Sequence, residues 1–132
     1  MAETIRFARR VSIRVRPDKI DEFLSTMKDK IYPGLSRQQG LRRIYLLRDP
    51  ATQNAFISVT LWNSKEDADA YESSGAYSSN VGKINQVLEE AAVVTGLAVE
   101  YHTVGSSVRD RARARPKGAA RKAKKPAARK RR

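Results

Sequence analysis

From Ile5 to Arg16 apolar and polar residues alternate with the two-residue period of a strand. Val11, Ile13 and Val15 fall on one face, and Arg10, Ser12, Arg14 and Arg16 on the other. Such alternation predicts a sheet with one face covered by helices. The basic face then reads as an exposed or dimer-facing surface, or as the lining of an anion pocket. Pro17 and Asp18 suit the opening of a helix. Ile20, Phe23, Leu24, Met27 and Ile31 follow at i, i+3, i+4, i+7 and i+11, a single apolar stripe. Pro33-Gly34 is expected to end that helix.

A second strand is predicted over Leu41–Asp49, with Ile44 and Leu46 on one side and Arg43, Tyr45 and Leu47 on the other. The segment from Asp49 to Asn54 reads as a hairpin loop. The third strand, Ala55–Trp62, pairs antiparallel with the second; its Ile57, Val59 and Leu61 alternate with Phe56, Ser58, Thr60 and Trp62. Ser64 then has the chemistry of a helix cap, and Asp67 three residues on resembles the far half of a capping box. Ala68 and Tyr71 continue at helical spacing, and Ser73-Ser74-Gly75 marks a break. A further helix is expected from Tyr77 to Ala92, with Val81, Ile84, Val87, Leu88 and Ala91 on its apolar side. Thr95-Gly96 closes that region, and Leu97–Val104 reads as a last strand. The order strand, helix, strand, strand, helix, strand predicts an α+β fold of the ferredoxin-like βαββαβ type with an antiparallel sheet.

Composition divides the chain of 132 residues into two parts. Its formal net charge is +13, but residues 109–132 hold thirteen Lys and Arg against Asp110 alone, leaving residues 1–108 with fourteen basic and thirteen acidic side chains. Residues 1–104 are therefore expected to be one ordinary domain, and residues 105–132 a tail rich in Lys, Arg, Ala and Pro that is disordered by itself. There is no Cys, which excludes disulfides and thiolate metal sites. No apolar run approaches the roughly 20 residues that span a bilayer. The N-terminus lacks the apolar centre of a secretory signal, so the expected location is the cytoplasm. No Gly-rich phosphate loop, nucleophile elbow or spaced carboxylate pair appears.

Trp62, the one Trp in the sequence, sits where a strand meets a helix, a common place for a pocket wall and also for core packing. Around it residues 5–104 resemble the antibiotic biosynthesis monooxygenase family, a branch of the dimeric α+β barrel superfamily. Members commonly show a hydrophobic strand ending in Trp, a small or acidic helix start, a His nine residues past the Trp, then a Ser and an aromatic. Trp62, Ser64, Glu66, Ala68, Ser74 and Tyr77 fit that pattern, and Tyr71 stands at the usual His position. The resemblance implies a homodimer. A four-stranded sheet covered on one side also leaves a second face for a partner, and two sheets can close a barrel across a two-fold axis.

The resemblance further implies a monooxygenase acting on a small aromatic molecule without metal or other cofactor. The substrate forms a stabilised carbanion that reacts with oxygen, in a pocket that holds it and excludes water. On that reading Trp62 is a pocket wall, Tyr71 donates a hydrogen bond and Tyr77 stacks, with no catalytic residue assigned. All three also have the ordinary chemistry of a core. A haem-degrading branch of the superfamily uses a helix His and a first-strand Asn. Here the helix after Trp62 has no His and the first strand offers Ser12 instead of Asn. The one His, His102, falls on the last predicted strand, where its titration range would suit a general base.

The tail supports a different reading. Arg111, Arg113, Arg115, Lys117, Arg121, Lys122, Lys124, Lys125, Arg129, Lys130, Arg131 and Arg132 resemble the texture of linker-histone tails. Spread cations neutralise phosphates without reading bases. The alternative function is thus a non-enzymatic homodimer whose tails bind nucleic acid non-specifically. An acidic protein or an anionic membrane surface would attract the same charges.

Overall fold

The computed structural model describes residues 4–105. The tail and its nucleic-acid expectations lie outside the described residues. The element order is β1 (Phe7–Arg14), α1 (Ile20–Thr26), α2 (Tyr32–Leu35), β2 (Leu41–Arg48), β3 (Ala55–Trp62), α3 (Lys65–Ser73), α4 (Ala76–Ile84) and β4 (Val93–Ala98). The strands form one antiparallel sheet in the order β2-β3-β1-β4, which is the ferredoxin-like arrangement. Of the two inner strands, β3 alternates between buried and partly exposed residues along its whole length.

Pairing fixes what each face carries. Phe7 lies opposite Trp62, Arg9 opposite Thr60, Val11 opposite Ser58 and Ile13 opposite Phe56. That set faces the helices. Ile13, Val15, Phe23, Met27, Ile31, Phe56, Ile84, Val87 and Leu88 form the larger core cluster, with Phe23 and Phe56 rings 4.9 Å apart. A second cluster joins Leu35, Trp62, Ala68 and Tyr71 at the other end of the sheet. The opposite face holds Ala8, Arg10 and Ser12 with Ile57, Val59, Leu61, Tyr45, Leu47, Val93 and Leu97, and no described element covers it.

Several boundaries differ from the sequence expectations, each for a local reason. The first helix does not stop at Pro33-Gly34. A π turn over Met27–Ile31 widens it, with the Tyr32 amide bonding to the Met27 carbonyl. Pro33 then enters at the start of α2, where its missing N–H is no loss, and the helix runs to Leu35. The helix expected over Tyr77–Ala92 begins at Ala76, after Gly75 turns the chain at φ +88, and ends in a 3-10 turn at Val87.

The last strand is Val93–Ala98 instead of Leu97–Val104. Thr95-Gly96 is not a terminator but part of the strand. The Phe7 ring fills the space beside Gly96, where a Cβ would fall 2.7 Å from Phe7 Cζ. The first strand is shorter than Ile5–Arg16, with Val15 held to Leu88 by an isolated bridge. Ser64 does cap α3, accepting the Asp67 amide at 3.1 Å.

Candidate functional site

The sequence places three aromatic candidates near the join of β3 and α3, and packing brings them into one row. Trp62 is completely buried. Its indole stacks on Tyr71 with centroids 5.6 Å apart, and Tyr71 meets Tyr77 edge-on at 6.2 Å. Trp62 Nε1 donates to Thr60 Oγ1 at 2.8 Å, satisfying the one polar atom of the indole. Tyr71 and Tyr77 line a cleft between sheet and helices, while Trp62 stands one layer behind Tyr71. Trp62 therefore supports the wall and does not form its surface. His102 is exposed beyond β4 and is not part of this row.

The cleft has a volume of about 70 Å³. Its floor is Arg9, Val11 and Ile13 of β1 with Ser58 and Thr60 of β3, and its sides are Met27, Ile31 and Tyr32 against Tyr71, Tyr77, Asn80 and Ile84. Both layers contribute polar groups. Tyr32 and Ser58 share a hydrogen bond of 2.9 Å across the layers. Asn80 Nδ2 donates to the Tyr71 hydroxyl at 2.9 Å, which fixes the ring and keeps the phenol proton available to a ligand. The π turn carries Met27 and Ile31 into the cleft wall, so the helix irregularity and the cleft coincide.

Arg9 is the group that sequence reasoning missed. Only 5% of its surface is exposed. Its Nη1 donates to Glu72 Oε1 at 2.7 Å and its Cζ lies 5.0 Å from the centroid of the Tyr77 ring. Its Nη2 is buried without a partner. The signal was present: carrying the register of Val11 and Ile13 two residues toward the N-terminus puts Arg9 on the same inward face. Ser58 and Thr60 share the register of Phe56 and Trp62 for the same reason.

The electrostatics are those of one cation among neutral hydroxyls. Burial raises the phenol pKa of Tyr32 above the ordinary 10.0, against a smaller lowering by Ser58. Burial also raises Tyr71, with the Asn80 hydrogen bond and the Arg9 charge opposing it. Tyr77 is raised by burial, again opposed by Arg9. All three therefore remain protonated donors near neutral pH. No carboxylate lines the cleft, and among the described residues no three metal-ligating side chains converge.

A wider depression of about 430 Å³ lies on the uncovered face, between Ser12, Arg14, Leu47, Arg48, Ile57 and Val93. It holds no buried polar atom without a partner, so the cleft between the layers is the better candidate site.

Residues 6–81, more than half of the chain, match the family model described as antibiotic biosynthesis monooxygenase. The chain belongs to this family. An antibiotic biosynthesis monooxygenase-like protein from Nitrosomonas europaea superposes with a TM-score of 0.65 at 16% identity, over 79% of this chain and 99% of its own. Rv0793 from Mycobacterium tuberculosis gives 0.63 at 18% identity, over 75% and 99%. A conserved protein from Methanosarcina mazei Go1 gives 0.64 at 12% identity, over 71% and 92%. At such identities these likenesses speak for the fold. No curated protein matches the chain. Among the described residues no helix is long and apolar enough to cross a membrane.

Proposed function

We propose that the chain is a cofactor-independent monooxygenase that takes a small aromatic molecule into the cleft between sheet and helices. The observation that carries this reading is the Tyr71 hydroxyl, held by Asn80 on the wall of a largely apolar cleft in a member of a monooxygenase-named family. The substrate supplies its own electrons. The activated methylene loses a proton to water and the carbanion adds dioxygen through a new C–O bond. The peroxide regains a proton, its O–O bond breaks with loss of water, and one oxygen atom stays as the new carbonyl, so no external reductant is needed. Tyr71 donates to a substrate oxygen, Tyr77 packs against its ring, and Trp62 holds Tyr71 in place. A cleft of about 70 Å³ suits a compact ligand, well below the roughly 300–1,000 Å³ of drug-sized sites.

The test is oxygen consumption with a panel of single-ring activated phenols and ketones, together with labelled dioxygen and mass spectrometry of the product. Uptake with label in the product, reduced in Tyr71→Phe, is the expected result. Absence of uptake and label across the panel would leave a binding protein without this chemistry. The same reading includes a homodimer joined through the uncovered sheet face, where Tyr45, Leu47, Val93 and Leu97 are each roughly half exposed. Sedimentation should show a dimer, and Leu47→Asp should shift it toward monomer.

A second reading is favoured by charge alone. Thirteen cations against Asp110 in residues 109–132 suit non-specific contact with duplex nucleic acid. If about six to eight of them engage phosphates, the log–log salt slope is about −5 to −7. Binding of random duplex by the full chain, lost on deleting 109–132, is the expected outcome; binding retained by residues 1–108 would contradict it.

A further inference from the structure

We propose that the cleft selects an anionic ligand, with Arg9 Nη2 as the donor that recognises a single charged oxygen. This deepens the reading of the cleft as a ligand site and rests on it. The ligand class is a small molecule bearing an ionised enol, an ionised phenol or a carboxylate.

Arg9 lies in the middle of β1, on the face that normally holds core residues, and its neighbours in register on that face are Phe7 and Val11. A guanidinium so placed needs partners for its N–H groups. Glu72 supplies one through Nη1 at 2.7 Å, and the Tyr77 ring lies against the guanidinium face at 5.0 Å. Nη2 has no hydrogen-bond partner, although it is buried. With Nη1 engaged by Glu72, the buried donors left without an acceptor are the Nη2 hydrogens, and these suit one oxygen of an anion.

The surroundings favour negative charge. The polar groups that face the cleft beside Arg9 are Tyr32, Ser58, Thr60, Tyr71, Tyr77 and Asn80, all neutral. Glu72, the carboxylate that pairs with Arg9, is half exposed to solvent and does not line the cleft. A buried cation and neutral hydroxyls stabilise an anion and repel a cation. No side chain on the wall is a base. The field of Arg9 instead shifts an acidic ligand toward its ionised form, so the ligand arrives at the chemistry already electron-rich.

Trifluoroacetate and trifluoroacetamide test this as an anion and a neutral isostere compact enough for the cleft. Their binding to the full chain is followed by fluorine NMR, with amide shifts of Val11, Tyr71 and Asn80 locating the site. The expected result is at least tenfold tighter binding of the anion at those amides. In Arg9→Gln that preference disappears while trifluoroacetamide binds as before. Anions held by the basic tail survive Arg9→Gln and leave the cleft amides unmoved, so they do not mimic the result.

Should Arg9→Gln fail to fold, Glu72→Gln serves as the second variant. Removing the offsetting carboxylate is expected to raise anion affinity about two- to fivefold without changing that of the amide. Equal binding of anion and amide in the cleft would overturn the charge selection and leave the ligand site standing. Binding of neither probe at the cleft amides would overturn the site itself, with a water molecule as the ordinary partner of Nη2.

Discussion

On its helix side the central strand β3 presents Phe56, Ser58, Thr60 and Trp62, all buried, and on its open side Ala55, Ile57, Val59 and Leu61, all partly exposed. The polar residues of this strand are thus inside and the aliphatic ones outside. In an antiparallel sheet with one wetted face the opposite is usual. Neither half of the inversion is arbitrary. Inside, Ser58 meets Tyr32, Thr60 meets the Trp62 indole, and Arg9 lies beside them at the cleft. Outside, the aliphatic row continues into Leu47, Val93 and Leu97. Polar groups set among apolar ones inside suit a ligand site, and an apolar exterior suits a covered surface, so on the proposed reading the two faces serve ligand and partner respectively.

The strongest way to break this contrast is Trp62→Ala. It removes the support of Tyr71 and leaves a void under the second core cluster, which should cost about 3–5 kcal/mol in denaturant unfolding. A loss under 1 kcal/mol would mean that the cleft wall is held by something other than the indole stack. Next comes Thr60→Val, nearly the same shape without the hydroxyl. It leaves Trp62 Nε1 buried without an acceptor, and about 1–3 kcal/mol should follow. If it is neutral, the inward hydroxyls are tolerated instead of used.

Much of this fold is legible in the residues. The hairpin β2-β3 and the Ser64 cap follow from patterns that depend on near neighbours alone. So does the break at Gly75, whose positive φ a glycine adopts without strain. What was illegible depended on contacts distant in sequence. Gly96 looks like a terminator until Phe7 is known to lie against it. Pro33 looks like a stop until the π turn before it is seen. The aromatic half of the site could be named from its motif, since Trp62, Tyr71 and Tyr77 stand close along one stretch. Its polar half is legible only in part: strand register puts Arg9 and Ser58 on the inward face, but their meeting with Tyr32 and Asn80 depends on packing across the layers.

The outer half of the contrast is sharpened by Ile57→Ser. On a bare surface such a change stays within about 0.5 kcal/mol. Under the proposed dimer it should instead weaken association, so that thermal stability falls most at low protein concentration. A melting temperature independent of concentration in both wild type and variant would leave the open face without a partner of its own kind.

The smallest effect at neutral pH belongs to the buried phenols, and it tests the inner face alone. Burial raises the pKa values of Tyr32, Tyr71 and Tyr77 above 10.0 in the folded chain. Their protonated forms are favoured by folding, so this contribution is fully present below pH 10.0 and is lost as pH rises through the folded values. Stability should therefore be insensitive to these groups near neutrality and fall in alkaline solution. Tyr71→Phe should make that fall shallower, while giving up the Asn80 hydrogen bond at all pH, a cost of about 0.5–1.5 kcal/mol. Phenolate absorbance measured alongside unfolding separates the two. If Tyr71 ionises at the pH of a free phenol, its hydroxyl is open to water and the cleft is wetter than its walls imply.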